Sequence, residues 1–245
     1  MKVSKKAKQK TKIKLIESAV EVIIEKGYKS ASMREIAKRA GVSDPTIYNY
    51  FPTKEKILYA YIELKHQESM KLLKEIEEFE TYSLREQLQS LIEIELELYL
   101  ADREFIQEIF DLAFYSSSVK LEELYNTKEL FADMVKEMFA LAIEAGEIEP
   151  QPFEEFVPLL FWDYYIAVVA YWLKDDSEGF NNTTQFIDHS MEIIESVIKA
   201  NLLSKLSTFG LFLFKTHILN KISKFGIKPS KFDSVKRKFM EVLDE

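Results

Sequence analysis

The chain has 245 residues, of which 47% are hydrophobic and only 6 are Gly and 6 are Pro, so it is long enough for one large or two small, mostly helical domains. The absence of cysteine excludes a disulfide framework, a zinc finger and thiol catalysis. The amino terminus lacks an apolar leader and no 18 consecutive residues are apolar, so we expect a cytoplasmic protein without membrane contact.

The net charge of −8 is divided unevenly along the chain. Residues 1–59 hold 14 Lys and Arg against 6 Asp and Glu, residues 60–198 hold 9 against 31, and residues 199–245 hold 10 against 4. The three segments therefore carry +8, −22 and +6. A basic amino-terminal segment (residues 1–59) attached to an acidic segment (residues 60–198) should orient the protein so that the basic segment approaches DNA first.

Seven lysines between Lys2 and Lys14 precede the first acidic residue, Glu17. We expect this segment to be a flexible basic arm that contacts phosphates or the minor groove, with a solubilising tail as the alternative. From Ile13 to Ile24 apolar residues recur at helical spacing, and they stop at Gly27. This pattern predicts a first helix that supports the segment after it.

The stretch from Ser32 to Phe51 has the spacing of a helix-turn-helix. Ser32 and Glu35 form a capping-box pattern, which predicts a helix that begins near Met33. Gly41 supplies the unusual backbone that ends this helix and turns sharply. Ser43 or Asp44 can then cap a second helix, which has Pro45 in its first turn.

The second helix of this motif has an inward and an outward side. A rotation of 100° per residue places Ile47 and Phe51 inward. The outward and flanking positions hold Pro45, Thr46, Tyr48 and Asn49. Such a short, polar face suits insertion into a DNA major groove, and the alternative is an ordinary helical hairpin in an all-α core.

The segment from Lys10 to Tyr61 resembles the amino-terminal domain of the TetR family of bacterial transcriptional regulators (TetR/AcrR-like). The resemblance rests on the runs EKGYKSASMREIAKRAGVS, TIYNYF and KEKIL. It implies that the second motif helix reads the groove and that Lys54 contacts phosphate. Asp44 and Pro45 depart from the family, which often has a basic or small residue followed by glycine, so the base contacts are expected to differ while the docking mode is kept.

We therefore predict a DNA interface with two kinds of contact. Base edges are expected to meet Pro45, Thr46 and Asn49, because Asn suits adenine and apolar groups suit the thymine methyl. Most of the remaining contacts are expected at phosphates. The predicted interface as a whole is Ser32, Arg34, Ser43, Pro45, Thr46, Tyr48, Asn49, Tyr50 and Lys54.

Pro52 and Thr53 precede a helix that we expect to run from Lys54 towards Phe79, about 25 residues and roughly 38 Å long. Such a rod could transmit a change in the body to the motif. Five further helices are predicted in the body. The first begins at Ser83 and the second at Asp102. The third runs from Leu121 to Gly146, and a break near Asn126 is left open. The fourth runs from Phe153 to Lys174, and the fifth runs from a cap at Thr183 or Thr184 to Ile198.

The helix from Phe153 to Lys174 is apolar nearly all round, apart from Asp163, so we expect it to pack on its own core and on a second subunit. The resemblance implies that the last two body helices form a four-helix homodimer interface. Two-fold symmetry would present two motifs to successive major grooves, so the operator is expected to be a pseudo-palindrome.

Aromatic residues of the body are candidates for an effector pocket, as the middle helices are in TetR-like proteins, and plain core is the alternative for each. Asp163 is a lone carboxylate in an apolar run, so it must be hydrogen-bonded, paired or protonated. It either meets a Tyr hydroxyl across the dimer interface or faces a cationic ligand. The candidate ligand residues are Phe110, Phe114, Tyr115, Phe139, Phe161, Trp162, Asp163 and Tyr165.

No pattern in the sequence indicates catalysis. His66, His189 and His217 do not have the spacing of metal ligands, and no Gly-rich phosphate loop or G-x-S-x-G motif occurs. We therefore expect no enzyme activity, no metal and no cofactor.

The predicted protein is all-α, with a helix-turn-helix domain and basic arm at 1–61, a ligand-binding and dimerisation domain at 62–204, and an extension at 205–245. We expect the extension to be a helical pair on the body, and a basic amphipathic segment on a membrane surface is the alternative. The expected function is a homodimeric regulator, most often a repressor in this family, that binds an operator in double-stranded DNA and is released by a small apolar or amphipathic effector of unknown identity. The alternative is a lipid-binding accessory protein that keeps the fold without regulating genes.

Overall fold

A computed structural model describes residues 4–115, 124–151 and 156–202, together with Lys205 and Phe209. All regular elements within these residues are helical, which confirms the all-α prediction. None of the described helices is both long and apolar enough to cross a bilayer. The α-helices are α1 (Lys5–Lys26), α2 (Met33–Arg39), α3 (Asp44–Tyr50), α4 (Lys54–Glu75), α5 (Leu84–Leu100), α6 (Arg103–Tyr115), α7 (Tyr125–Glu144), α8 (Val157–Trp172) and α9 (Asn181–Lys199).

The prediction of a flexible basic arm is wrong from Lys5 onward, because α1 begins there. The Ser4 side chain accepts a hydrogen bond from the Ala7 amide at 3.2 Å and so caps the helix. Lysine has good helix propensity, and the buried side of α1 from Leu15 onward anchors the helix on the core. The lysine-rich turns are therefore a solvated extension of an anchored helix.

Helices α1 to α3 pack together into the head of the molecule. Ile36, Ala37 and Ile47 are completely buried, and Phe51 is nearly so, as the helical spacing predicts. The predicted capping box is present, since Ser32 and Glu35 each accept the other's backbone amide. Hydrogen bonds from Lys26 and Ser32 lower the pKa of Glu35 to about 2. Gly41 has a φ of 67°, the left-handed conformation expected at the sharp turn.

Helix α4 joins the head to the body and packs against α1, α5 and α7. It ends at Glu75, so the predicted continuation towards Phe79 is wrong, and the helix is about 33 Å long. Four glutamates lie between residues 75 and 80, and negative charge at a helix carboxyl end is unfavourable. Phe79 instead lies in a separate 3₁₀ turn, Phe79–Thr81.

Helices α5 to α9 form the body, and two of the predicted helix starts fall on residues that the structure does not describe. Ser83 caps α5 as expected, with a capping box completed by Glu86. Helix α7 begins at Tyr125 and continues without a break through Asn126. The residues predicted to start it, 121–123, lie outside the described part of the chain, as do residues 153–155 before α8.

Helix α9 begins at Asn181, so the predicted Thr183 or Thr184 cap is wrong. Asp175, buried in the turn after α8, performs the capping from a distance. Its carboxylate accepts the amide and hydroxyl of Thr183 at 2.8 and 2.7 Å, and those of Ser177 at 3.0 and 2.7 Å. Burial alone would raise the pKa of Asp175, but the hydrogen bonds from Thr183 and Ser177 outweigh it and hold that pKa well below its usual range.

The carboxyl end of α8 is fixed by Arg103, the first residue of α6. Its guanidinium donates hydrogen bonds to the carbonyl oxygens of Trp172, Leu173 and Asp175 at 2.9 to 3.0 Å. It also lies over the rings of Trp172 and Phe180. The beginning of α6 is thereby joined to the end of α8. The helical pair predicted for residues 205–245 lies outside the described residues, apart from Lys205 and Phe209.

Candidate nucleic-acid interface and effector cavity

The exposed side of α3 carries the side chains predicted to read DNA. Pro45, Tyr48 and Asn49 are exposed, while Thr46 and Tyr50 are partly buried. Ile47 and Phe51 hold the opposite side in the core of the head. Ser32, Arg34 and Ser43 are also exposed, on the approaches to α2 and α3. The predicted interface is thus a small, mostly polar surface on a helix whose opposite side is buried.

Arg34 and Asp44 form an ion pair across the helix-turn-helix, with Arg34 Nε 2.8 Å from Asp44 Oδ2. The pair places a cation beside the carboxylate at the start of α3, and it leaves the terminal nitrogens of the guanidinium facing solvent. Sequence reasoning missed this contact, because ten residues and a sharp turn separate the two side chains.

Ser43 precedes α3, but its hydroxyl does not cap the helix. It lies 2.7 Å from the Thr46 hydroxyl, and the Thr46 amide donates to the Ser43 carbonyl at 2.9 Å. This contact orients Thr46, which is one of the candidate base-reading residues.

Lys54 is placed differently from the other predicted phosphate contacts. Its ammonium donates hydrogen bonds to the carbonyl oxygens of Tyr28 and Ala31, the latter at 2.6 Å, and lies 4.3 Å from the Tyr28 ring centroid. Burial lowers the pKa of this ammonium. Tyr28 in turn donates its hydroxyl to Glu55 at 2.6 Å. In this arrangement Lys54 fixes the connection between α1 and α2 to the start of α4.

A second candidate site lies inside the body, where a cavity of about 60 Å³ opens between α4, α5, α6 and α8. Four of the predicted ligand residues line it: Phe110, Phe114, Trp162 and Tyr165. Residues that the sequence did not single out complete the wall. They are Ile62, Tyr99, Ile106, Ile109, Ala113, Leu124, Ile166 and Val169. The helical spacing of Ile106, Ile109 and Ala113 on α6 is a signal that could have identified three of them.

The remaining candidate ligand residues lie elsewhere. Phe139 is buried away from this cavity, and Phe161 packs on Phe131 with ring centroids 6.0 Å apart. The side chain of Tyr115 lies outside what the structure describes. Asp163 is 67% exposed and its carboxylate lies 3.5 Å from Lys128 Nζ, so it is ion-paired, which is one of the states expected for it. It belongs to an exposed side of α8 that the all-round apolar pattern concealed.

That exposed side of α8 is otherwise apolar. Phe156, Leu160, Ala167 and Tyr171 are all exposed, and they follow one another at helical spacing on either side of Asp163. Leu160 is 61% exposed. On the neighbouring helix α9, Ile193 is 64% exposed, and Phe186 stacks on Tyr171 with ring centroids 4.6 Å apart. We call this surface of α8 and α9 the apolar stripe.

Comparison with known proteins decides the family. Residues 87–213 match the profile "Tetracyclin repressor-like, C-terminal domain", which covers more than half of the chain, and residues 15–61 match "Bacterial regulatory proteins, tetR family". The chain belongs to the TetR family. The predicted resemblance is therefore confirmed, and this TetR-family chain is a member of a group of DNA-binding transcriptional regulators.

Three relatives of this TetR-family protein illustrate its neighbourhood. The fatty acid metabolism regulator protein of Bacillus subtilis is 30% identical over 145 residues, covering 59% of this chain and 74% of that protein. The transcriptional regulator LuxR of Vibrio harveyi is 28% identical over 184 residues, covering 73% and 88%. The structure of FadR from Bacillus subtilis, solved in complex with stearoyl-CoA, has a TM-score of 0.54 at 24% identity and covers 72% and 95% of the two chains.

Proposed function

We propose that this protein is a homodimeric repressor that binds a pseudo-palindromic operator and is released by an effector with a hydrocarbon chain. The proposal rests chiefly on the exposed polar side of α3, which buried Ile47 and Phe51 hold rigidly. A short helix presented in this way suits the major groove. We further propose that residues 1–61 bind DNA, that residues 62–204 bind the effector and the second protomer, and that residues 205–245 are an addition to this core.

The apolar stripe supports dimerisation. An exposed apolar surface on two adjacent helices suits a protein interface, and two copies packed through it would form a four-helix arrangement. The two α3 helices would then meet successive major grooves, with centres about 34–36 Å apart.

The cavity supports an apolar effector, because its wall consists of aliphatic and aromatic side chains and includes two tyrosines. At about 60 Å³ it is smaller than ligand sites, which typically measure roughly 300–1,000 Å³. A ligand would therefore have to move α6 and α8 apart, and this movement would couple binding to the rest of the molecule. FadR from Bacillus subtilis was solved with stearoyl-CoA, which supports an acyl chain as the ligand class.

Selection of binding sites from random duplex DNA tests the proposal. We expect the selected pool to converge on a pseudo-palindrome, and we expect Leu160→Asp in the apolar stripe to abolish dimerisation and operator binding together. Leu72→Asp is the matched control, because Leu72 is an exposed leucine on α4, outside the stripe. A pool without enrichment would contradict the proposal.

The apolar cavity also fits a second function, that of a lipid-binding accessory protein without a role in gene regulation. That protein would bind stearoyl-CoA or stearate and would leave the random duplex pool without enrichment. The same selection experiment, followed by a lipid-binding measurement, separates the two functions.

A further inference from the structure

A carboxylate is buried in the body beside the cavity. Glu95 on α5 is 1% exposed, and its Oε1 lies 2.6 Å from Nδ1 of His66 on α4, which is 2% exposed. Ser69, one turn further along α4, donates its hydroxyl to the same oxygen at 2.6 Å. Because a buried carboxylate is costly without partners, Glu95 holds this part of α4 in a specific position.

The other oxygen of Glu95 faces the cavity wall. The Tyr165 hydroxyl on α8 lies 3.4 Å from Oε2 and 3.2 Å from the Tyr99 hydroxyl on α5. Both tyrosines line the cavity. Burial and the charge of Glu95 raise the pKa of each, so both remain protonated. A single carboxylate therefore touches the cavity wall through one oxygen and α4 through the other.

A ligand that widens the cavity must displace the side chains of its wall, and two of these carry the hydroxyls next to Glu95. When Glu95 loses the contact with the Tyr165 hydroxyl, its carboxylate has fewer hydrogen-bond donors. Its hydrogen bonds with His66 and Ser69 on α4 should then change as well. Only three residues separate α3 from α4, and Lys54 holds the start of α4 against the head. The hydrogen-bond network thus leads from the cavity to α4, the helix that directly follows the helix-turn-helix.

We propose that Glu95 is a positioning residue that couples the cavity to α4, with Tyr99 and Tyr165 on the cavity side and His66 and Ser69 on the helix side. The inference rests on the proposed effector function, and it names the hydrogen bonds through which the effector would act on α4. The Tyr165 hydroxyl can be removed without replacing Glu95, His66 or Ser69 themselves, which makes this coupling testable.

The first test needs no ligand and measures amide hydrogen exchange of the full chain by mass spectrometry. Tyr165→Phe should increase exchange about five-fold in the α4 peptide that contains His66 and Ser69, the effect of one lost hydrogen bond. Tyr164→Phe is the matched control, since its hydroxyl lies 2.6 Å from Ser190 on α9 and away from α4. Unchanged exchange in α4 of Tyr165→Phe would overturn the proposal.

The second test measures operator affinity with and without stearoyl-CoA for the wild type and for Glu95→Gln. The variant has nearly the same shape but lacks one acceptor, so it should bind operator and stearoyl-CoA while the ratio of the two operator affinities falls at least five-fold towards one. An unchanged ratio would overturn the coupling role. If stearoyl-CoA does not affect the wild type, the proposed effector class fails, and hydrogen exchange alone decides the role of Glu95.

Discussion

The backbone amide of Tyr28 donates a hydrogen bond to the Glu108 carboxylate at 3.0 Å, although 80 residues separate the two along the chain. Tyr28 lies in the connection between α1 and α2, and Glu108 lies on α6, the helix that supplies five residues to the cavity wall. The same connection is bound by Lys54 through the Tyr28 carbonyl. Tyr28 is therefore a point where the head is attached to α4 and to α6 at once.

Glu108→Ala should lower the free energy of unfolding by about 1–3 kcal/mol, because a partly buried amide would lose a charged acceptor. Glu108→Gln keeps an oxygen at this position and should lose less than half as much. Urea unfolding of the three proteins checks this. Equal losses in the two variants would show that charge, and not the hydrogen bond to Tyr28, is what matters.

Lys54→Met should lower the free energy of unfolding by about 1–2 kcal/mol, since two carbonyl oxygens of the α1–α2 connection lose their donor. Lys29→Met removes the same charge from an exposed lysine in that connection and should have little effect. Operator affinity measured at several salt concentrations shows whether Lys54 also contacts a phosphate. If it does, the slope of log affinity against log salt concentration should fall by about one in Lys54→Met. Unchanged stability would contradict the placement of Lys54.

Asp44→Asn should strengthen binding to any duplex about three- to ten-fold at low salt, because a negative charge beside the phosphates is removed. Arg34, now without its carboxylate partner, should contact phosphate on any duplex, so the preference for the operator over random duplexes should fall. Fluorescence anisotropy with operator and random duplexes measures both effects. Glu17→Gln removes one negative charge from the head as well. If that variant binds DNA more tightly by the same factor, the net charge of the head, and not the position of Asp44, causes the increase in affinity.

Asn49→Ala should relax the base preference at one operator position and cost about 1–3 kcal/mol on the preferred sequence. Asn49 is exposed on α3, so its loss should leave the unfolding free energy nearly unchanged. Repeating the random-duplex selection with the variant identifies the position. A uniform loss over all sequences would place Asn49 at a phosphate.

Asp175→Asn should lower the melting temperature at pH 7 by several degrees, because the amide can accept hydrogen bonds from fewer of its four donors. The pKa of Asp175 is lower in the folded chain than in the unfolded one, so its stabilisation is complete at neutral pH and decreases as the pH falls below about 4. The difference between wild type and variant should therefore shrink from pH 7 to pH 3. A constant difference would contradict this role.

The helix-turn-helix could be predicted closely because its signals are local. Ser32, Glu35 and Gly41 act on their own neighbours in the chain, and the structure shows the capping box and the left-handed glycine as expected. Helical spacing is also local, and it correctly assigned Ile47 to the inner side of α3. Patterns of this kind do not depend on tertiary packing.

Features that depend on distant residues could not be predicted. Asp175 replaced the predicted cap of α9 from outside the helix, and Lys54 is held by carbonyl oxygens 23 and 26 residues before it. The ion-pair partner of Asp163 is Lys128 on α7, which the apolar pattern of α8 alone could not identify. The polar cluster at Glu95 required three helices to meet before it could be recognised.

The hydrogen bonds of Arg103 to the end of α8 fix one end of α6, a helix of the cavity wall, so α6 can rotate about that end. The amino-terminal end of α6 is tied there, whereas Phe114, near its carboxyl-terminal end, lines the cavity and is exposed. Helix α6 has 13 residues and is about 20 Å long, so a rotation of roughly 5° about its amino-terminal end would displace its carboxyl-terminal end by about 2 Å. This movement would widen the cavity beside Phe114, and a ligand would enter at that end of α6.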